Sequence, residues 1–141
     1  MPATPDGPVL AFDVGTRRIG VAIGHPLGAG ARALRTLASD DWSGLDALIS
    51  DWQPQQFVVG LPLTLDGGEQ PMSRRAREFA RALEKRYARN VHLADERGSS
   101  QEAARRFARE RASGAARRKD AAELDAVAAA VILDQWFASA Q

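Results

Sequence analysis

The stretch LAFDVGTRRIGVAIG, residues 10–24, decides how the rest of the chain is read. Two apolar runs, Val9–Val14 and Ile19–Gly24, flank a turn of Gly15, Thr16, Arg17 and Arg18. Glycine reaches positive φ without a Cβ penalty, so Gly15 marks the segment as a β-hairpin. Asp13 stands inside the first apolar run, near its end. A carboxylate buried there needs a metal ion, a cation or a shifted pKa, because an unpaired buried charge is costly. An aspartate that caps the Gly-Thr backbone of the turn would suit the hairpin equally well. The choice falls to the remainder of the chain.

Outward from the hairpin, Ala31–Leu37 reads as a third strand of a meander. Asp40, Asp41 and Ser43 are candidate caps for a helix that ends near Trp52, with Leu45, Leu48, Ile49 and Trp52 on one face and Pro54 as its stop. Gln56–Leu61 is a short continuous apolar run, the pattern of a strand covered on both faces. A loop with an Asp-Gly-Gly turn leads to Ser73, a cap for a helix reaching about Arg89. Its stripe is Ala76, Phe79, Ala80, Leu83 and Tyr87, and its many basic residues read as a solvated face. Val91–Ala94 is a further strand that runs into Asp95 and Glu96. A helix over roughly Gln101–Ala112, a basic loop to Lys119 and an alanine-rich helix over Ala121–Ser139 complete the order. Three strands in a meander followed by strands with helical crossovers describe an α/β fold with a mixed sheet. Residues 1–8, rich in proline, are expected to form a flexible N-terminal tail, and 9–141 a single domain.

Composition narrows the chemistry. The 141 residues include no cysteine, which excludes disulfides, thiolate–zinc sites and cysteine nucleophiles. No apolar run approaches a membrane span and the N-terminus lacks a signal-peptide pattern, so the expectation is a cytoplasmic protein without a membrane partner. The net charge of +1 conceals an asymmetry: residues 1–72 carry four arginines against eight acids, and residues 73–141 carry fifteen basic residues against ten acids. Guanidinium groups grip phosphates bidentately, and the seven basic residues between Arg105 and Lys119, facing one acid, point to nucleic acid.

Carboxylates at element ends single out a site. Open α/β sheets place their sites beyond the carboxyl ends of strands, where Asp13 and the Asp95-Glu96 pair fall. Asp125 and Ile132 are seven residues apart, which brings them within roughly 20° on a helical wheel. Asp125 is therefore expected to face the sheet, and Asp134 solvent. Inward carboxylates without histidine or cysteine suggest a hard cation with oxygen ligands, Mg²⁺ or Mn²⁺, and a pair of such ions about 4 Å apart can clamp a phosphoryl displacement. The same acids could instead be partners for cations such as Arg97 and Lys119. Of the pair 95–96, alternation lets only one reach the site.

AFDVGTRRIGVAIG (11–24), FVVGLPLTLDGGEQ (57–70), ADERGSS (94–100) and DAVAAAVILDQWF (125–137) together resemble the YqgF/RuvX family. The resemblance runs from Leu10 to Phe137 and implies an RNase H-like fold related to the RuvC Holliday-junction resolvase. It implies a metal-dependent nuclease of the pre-16S ribosomal RNA 5′ end, with RuvC-like cutting of branched DNA as the alternative. It selects Glu96 over Asp95, so that Asp13, Glu96 and Asp125 become the catalytic and metal-binding set, with two Mg²⁺ or Mn²⁺ ions as the implied cofactors. Thr16, Arg17, Arg97, Arg117, Arg118 and Lys119 become phosphate-contacting candidates. Structured RNA or branched DNA is the implied partner, with a homodimer and a pre-ribosomal particle as the wider assemblies. Two departures stand out: Gly98 replaces an apolar residue of the family pattern, and Ala122 stands where RuvC-like nucleases often place a fourth acid. A nucleotide-binding protein of the actin class, which shares the glycine-threonine hairpin, and a non-catalytic nucleic-acid binder are the competing classes.

Overall fold

Period-two alternation sorts the hairpin onto two faces, and the computed structural model follows that sorting. It describes residues 7–28, 30–96 and 120–139, with the side chains of the last segment from Glu123 onward. The elements are β1 (Val9–Val14), β2 (Arg18–Gly24), β3 (Arg32–Ala38), α1 (Trp42–Trp52), β4 (Gln56–Leu61), α2 (Pro71–Tyr87), β5 (Asn90–Asp95) and α3 (Asp120–Ser139). The five strands form one sheet in the order β3-β2-β1-β4-β5. β1, β2 and β3 pair antiparallel, and β1–β4 and β4–β5 pair parallel. This is the expected mixed sheet, with β1 at its centre.

One face is bulky. Leu10, Phe12, Val21, Phe57 and Val59 pack there against Leu45 and Leu48 of α1 and Phe79 and Leu83 of α2. Phe12 meets Phe57 and Phe79 at centroid distances of 5.9 and 5.3 Å, geometries that add a little to simple burial. The other face is made of small residues: Val9, Ala11, Ala22, Val58 and Ala94 meet Ala129, Ala130, Ile132 and Leu133 of α3. Small side chains on both surfaces let that helix lie close to the sheet, which brings its polar residues within reach of strand ends.

Local chemistry explains the boundaries and several differences from the sequence reading. Asp41 caps α1, its Oδ1 accepting from the Gly44 N–H at 2.9 Å. α2 begins earlier than Ser73 because Gln70 is the cap and Pro71 takes the first turn, where a missing N–H costs nothing. Ser73 serves inside a capping box: its Oγ accepts from the Gln70 N–H at 2.9 Å and donates to the Pro62 carbonyl. Gly15 does not lie among the positive-φ glycines of the described residues, which are Gly30 and Gly67. The turn needs Gly15 for space, since a Cβ there would stand 2.9 Å from the Arg18 carbonyl oxygen. Asp134 is half-buried rather than solvated, and its Oδ1 accepts from the Ala31 N–H at 2.7 Å, tying α3 to the start of β3. Trp42 stacks on Phe79, the packing role of a helix-entry residue. The helix and basic loop expected over 101–119 lie outside the described residues.

Candidate active site

Asp13 pairs with Gly20 across the β1–β2 ladder. On the other side, the β1–β4 pairing runs to Phe12 and Val59, so the next residues along are Asp13 and Gly60. Asp13 is thus flanked by a glycine on each neighbouring strand. Alternation turns it to the same face as Ala11, the face that α3 covers.

Each glycine makes room for a different acid. A Cβ at Gly20 would collide with the Asp125 backbone and stand 2.7 Å from the Ala126 nitrogen, so α3 rests directly on β2 at Asp125. A Cβ at Gly60 would collide with Glu96 Oε2 and stand 2.7 Å from Ile132 Cδ1. Glu96 follows β5 immediately, and its N–H donates to the Leu61 carbonyl at 3.2 Å, extending the β4–β5 ladder by one bond. Asp125 and Glu96 thus lie on elements that flank Asp13, near enough for the charges of Asp13 and Asp125, and of Asp13 and Glu96, to act on each other. Asp95 is exposed, and its charge acts on Glu96 by repulsion.

The electrostatics record the crowding. Burial, then the Asp125 charge, raises the Asp13 carboxyl from 3.8 to about 6. Burial, then the charges of Asp13 and Asp95, raises Glu96 from 4.5 to about 8. Two half-buried carboxylates that repel each other and lie beside a third favour a cation between them. Among the described residues no three acidic, histidine or cysteine side chains stand close enough together to hold a metal ion as they are placed. The acids form an open set around Asp13, whose all-oxygen donor chemistry fits Mg²⁺ or Mn²⁺, ions that complete their coordination with water and substrate.

Asp125 has a present occupant: Arg18 Nε donates to its Oδ2 at 2.8 Å. The arginine-partner reading of the acids is realised for Asp125, whose partner is Arg18. Thr16 and Arg17 lie exposed at the hairpin tip, beyond the Val14–Ile19 pair that ends the ladder. The Thr16 hydroxyl is directed to Met72 Sδ at 3.8 Å, and its carbonyl accepts from Arg75 Nη2 of α2 at 3.2 Å. Arg97, Arg117, Arg118 and Lys119 lie outside the described residues. Sequence reasoning passed over Arg18, Arg75, Gly20 and Gly60. The glycines did carry a signal, since glycine inside a strand often marks the close approach of another backbone or a ligand.

The RuvX family profile, described as Holliday junction resolvase, matches residues 7–139. The chain belongs to the RuvX family. A relative from Xanthomonas oryzae pv. oryzae, named "Putative pre-16S rRNA nuclease", is 58% identical over 139 residues, covering 96% of this chain and 90% of its own. Among solved structures, RuvC of Thermus thermophilus superposes with a TM-score of 0.57 at 15% identity, covering 94% of this chain and 95% of the other. The yeast mitochondrial Holliday junction resolvase Ydc2 gives 0.53 at 11% identity, covering 96% and 80%. Those superpositions establish the RNase H-like fold for the RuvX chain. As a RuvX protein it is a nuclease, a hydrolase of phosphodiester bonds, and its partner is nucleic acid. Among the described residues no helix is long and apolar enough to cross a membrane.

Proposed function

We propose that this RuvX chain cleaves pre-16S ribosomal RNA during maturation of its 5′ end, within a pre-ribosomal particle, at a divalent-cation site centred on Asp13. Glu96 and Asp125 complete the ligand set. The observation that carries the reading is the pair of glycines beside Asp13, which admit Asp125 on one side and Glu96 on the other. Mg²⁺ or Mn²⁺, singly or as a pair, supplies positive charge beside the scissile phosphate and eases deprotonation of water there. The chain's own residues do the remainder. Asp13 holds the centre from a rigid strand between two others, so its position changes little when substrate arrives. Thr16 and Arg17 at the hairpin tip face the flanking phosphates, and Arg97, Arg117, Arg118 and Lys119 are further candidates for phosphate contact. The substrate assignment draws support from the name carried by the 58%-identical Xanthomonas relative.

A side-by-side cleavage assay tests it, with a precursor 16S leader RNA, a four-way DNA junction and single strands, each with Mg²⁺ or Mn²⁺. Cleavage of the leader RNA that disappears in Asp13→Asn, with binding retained, is the expected result. Full activity in that variant would sink the site assignment. A second reading, branched DNA, has the family description and the RuvC-like fold in its favour. It would show as preferential cutting of the junction and would bring with it a homodimer, since two symmetric cuts call for two equivalent sites.

A further inference from the structure

Arg18 is the first residue of β2 and has no part in the turn's own hydrogen bonding beyond its carbonyl, which accepts from the Gly15 N–H at 2.9 Å. Its guanidinium crosses to α3 and takes Asp125 Oδ2 at 2.8 Å. Among the described residues the other ion pairs, Arg77–Glu69 and Arg86–Asp46, lie away from the acid set, whereas this one enters it. Arg18 shares the strand parity of Gly20, so it rises on the face where Asp13, Glu96 and Asp125 meet.

We propose that Arg18 is a charge gate on the acid set: it holds Asp125 until a divalent cation enters, and is then released to the phosphate backbone of the substrate. This rests on the cation site put forward above. A single-point contact between side chains that are 49% and 28% exposed is weak and screened by salt, so a divalent ion can displace it. The guanidinium and the ion compete for the same carboxylate, and a fixed positive charge beside the site opposes a second one. Once released, it stands next to Thr16 and Arg17 at the hairpin tip, where a guanidinium can grip phosphate oxygens.

The test compares Arg18→Gln, which keeps reach and polarity without charge, with Arg18→Lys, Asp13→Asn and the wild-type chain. Mn²⁺ affinity is measured by titration calorimetry in the absence of nucleic acid and at low salt. Arg18→Gln is expected to bind Mn²⁺ roughly three- to tenfold tighter, with the difference closing at high salt, and Arg18→Lys to stay near wild type. In a separate binding assay with leader RNA, Arg18→Gln should lose about one unit of log–log salt slope, one phosphate contact fewer. Equal or weaker Mn²⁺ binding by Arg18→Gln, while Asp13→Asn abolishes wild-type binding, overturns the gate and leaves the cation site standing. Failure of both wild type and Arg18→Gln to bind Mn²⁺ overturns the two together.

Discussion

Asp13→Asn isolates the charge at the centre of the acid set and has a worked energetic consequence apart from catalysis. In the metal-free protein, burial followed by the Asp125 charge lifts the Asp13 carboxyl from 3.8 to about 6. A group whose pKa is raised on folding contributes stability that is complete below its unfolded value and lost as pH climbs through the folded one. For Asp13 that window runs from about pH 4 to about pH 6. A rise of about two units corresponds to about 3 kcal/mol of penalty, fully developed above the window. Asparagine avoids that penalty but brings an amide that must find partners, which costs about 1 kcal/mol. The expected net gain in the metal-free chain is therefore about 2 kcal/mol at pH 8, and none or a small loss at pH 4. Removing the Asp13 charge also eases ionisation of Glu96, which adds in the same direction because that charge helps raise Glu96 to about 8. Urea unfolding in EDTA at the two pH values measures the difference, and in a thermal melt it should appear as roughly 3 °C per kcal/mol. Saturating Mn²⁺ should invert the order, since a ligand at a hundredfold over its Kd stabilises wild type by about 2.7 kcal/mol and the variant by little. A variant destabilised equally at pH 4 and pH 8 in EDTA would refute the buried-charge reasoning.

Two further perturbations probe the frame of the site. Gly20→Ala and Gly60→Ala should both destabilise, by roughly 1–3 kcal/mol as for overpacked cores, with Gly20→Ala the worse. At Gly20 the obstacle is α3 backbone, which cannot turn aside, whereas at Gly60 it is the tips of Glu96 and Ile132. Gly60→Ala should in turn weaken divalent binding by pushing Glu96 away, read by the same calorimetry; unchanged affinity would count against Glu96 as a ligand. On the opposite face, Asp46 accepts from Arg86 at 3.0 and 2.7 Å and from Tyr87 at 2.6 Å, joining α1 to α2. The Arg86 contact, then that of Tyr87, holds its carboxyl down at about 2. Its lowered pKa contributes stability above about pH 4 that is lost as pH falls toward 2. Asp46→Asn should therefore flatten the acid limb of a stability–pH profile and leave cleavage unchanged, and an unaltered acid limb would count against the pair.

Much of the site was legible because its signals are local. A charge inside an apolar strand marks Asp13, and the seven-residue spacing to Ile132 marks the sheet-facing side of the last helix at Asp125. Glu96 was different. Alternation says that one of two adjacent acids faces the site but not where the strand stops, so the choice needed the family resemblance. In the fold Glu96 covers Gly60 and Asp95 is exposed. Arg18 could not be chosen from a turn holding two adjacent arginines. Which one crosses to Asp125 depends on the parity of β2 and on how near α3 lies, and neither is a property of the turn.

What the chain determined by itself was the period of each element, the apolar face of each helix and the positions of three acids, since these depend on residues a few places apart. Tertiary structure decided that β1 is the central strand, with Gly20 and Gly60 as the lateral neighbours of Asp13. It also decided that α3 settles onto Gly20 closely enough to bring Asp125 to Asp13 and Arg18 to Asp125. The Arg18–Asp125 contact alone joins residues 107 positions apart. Such pairings arise from how strands dock edge to edge and how small residues let a helix approach, and so appear only when the whole sheet is assembled.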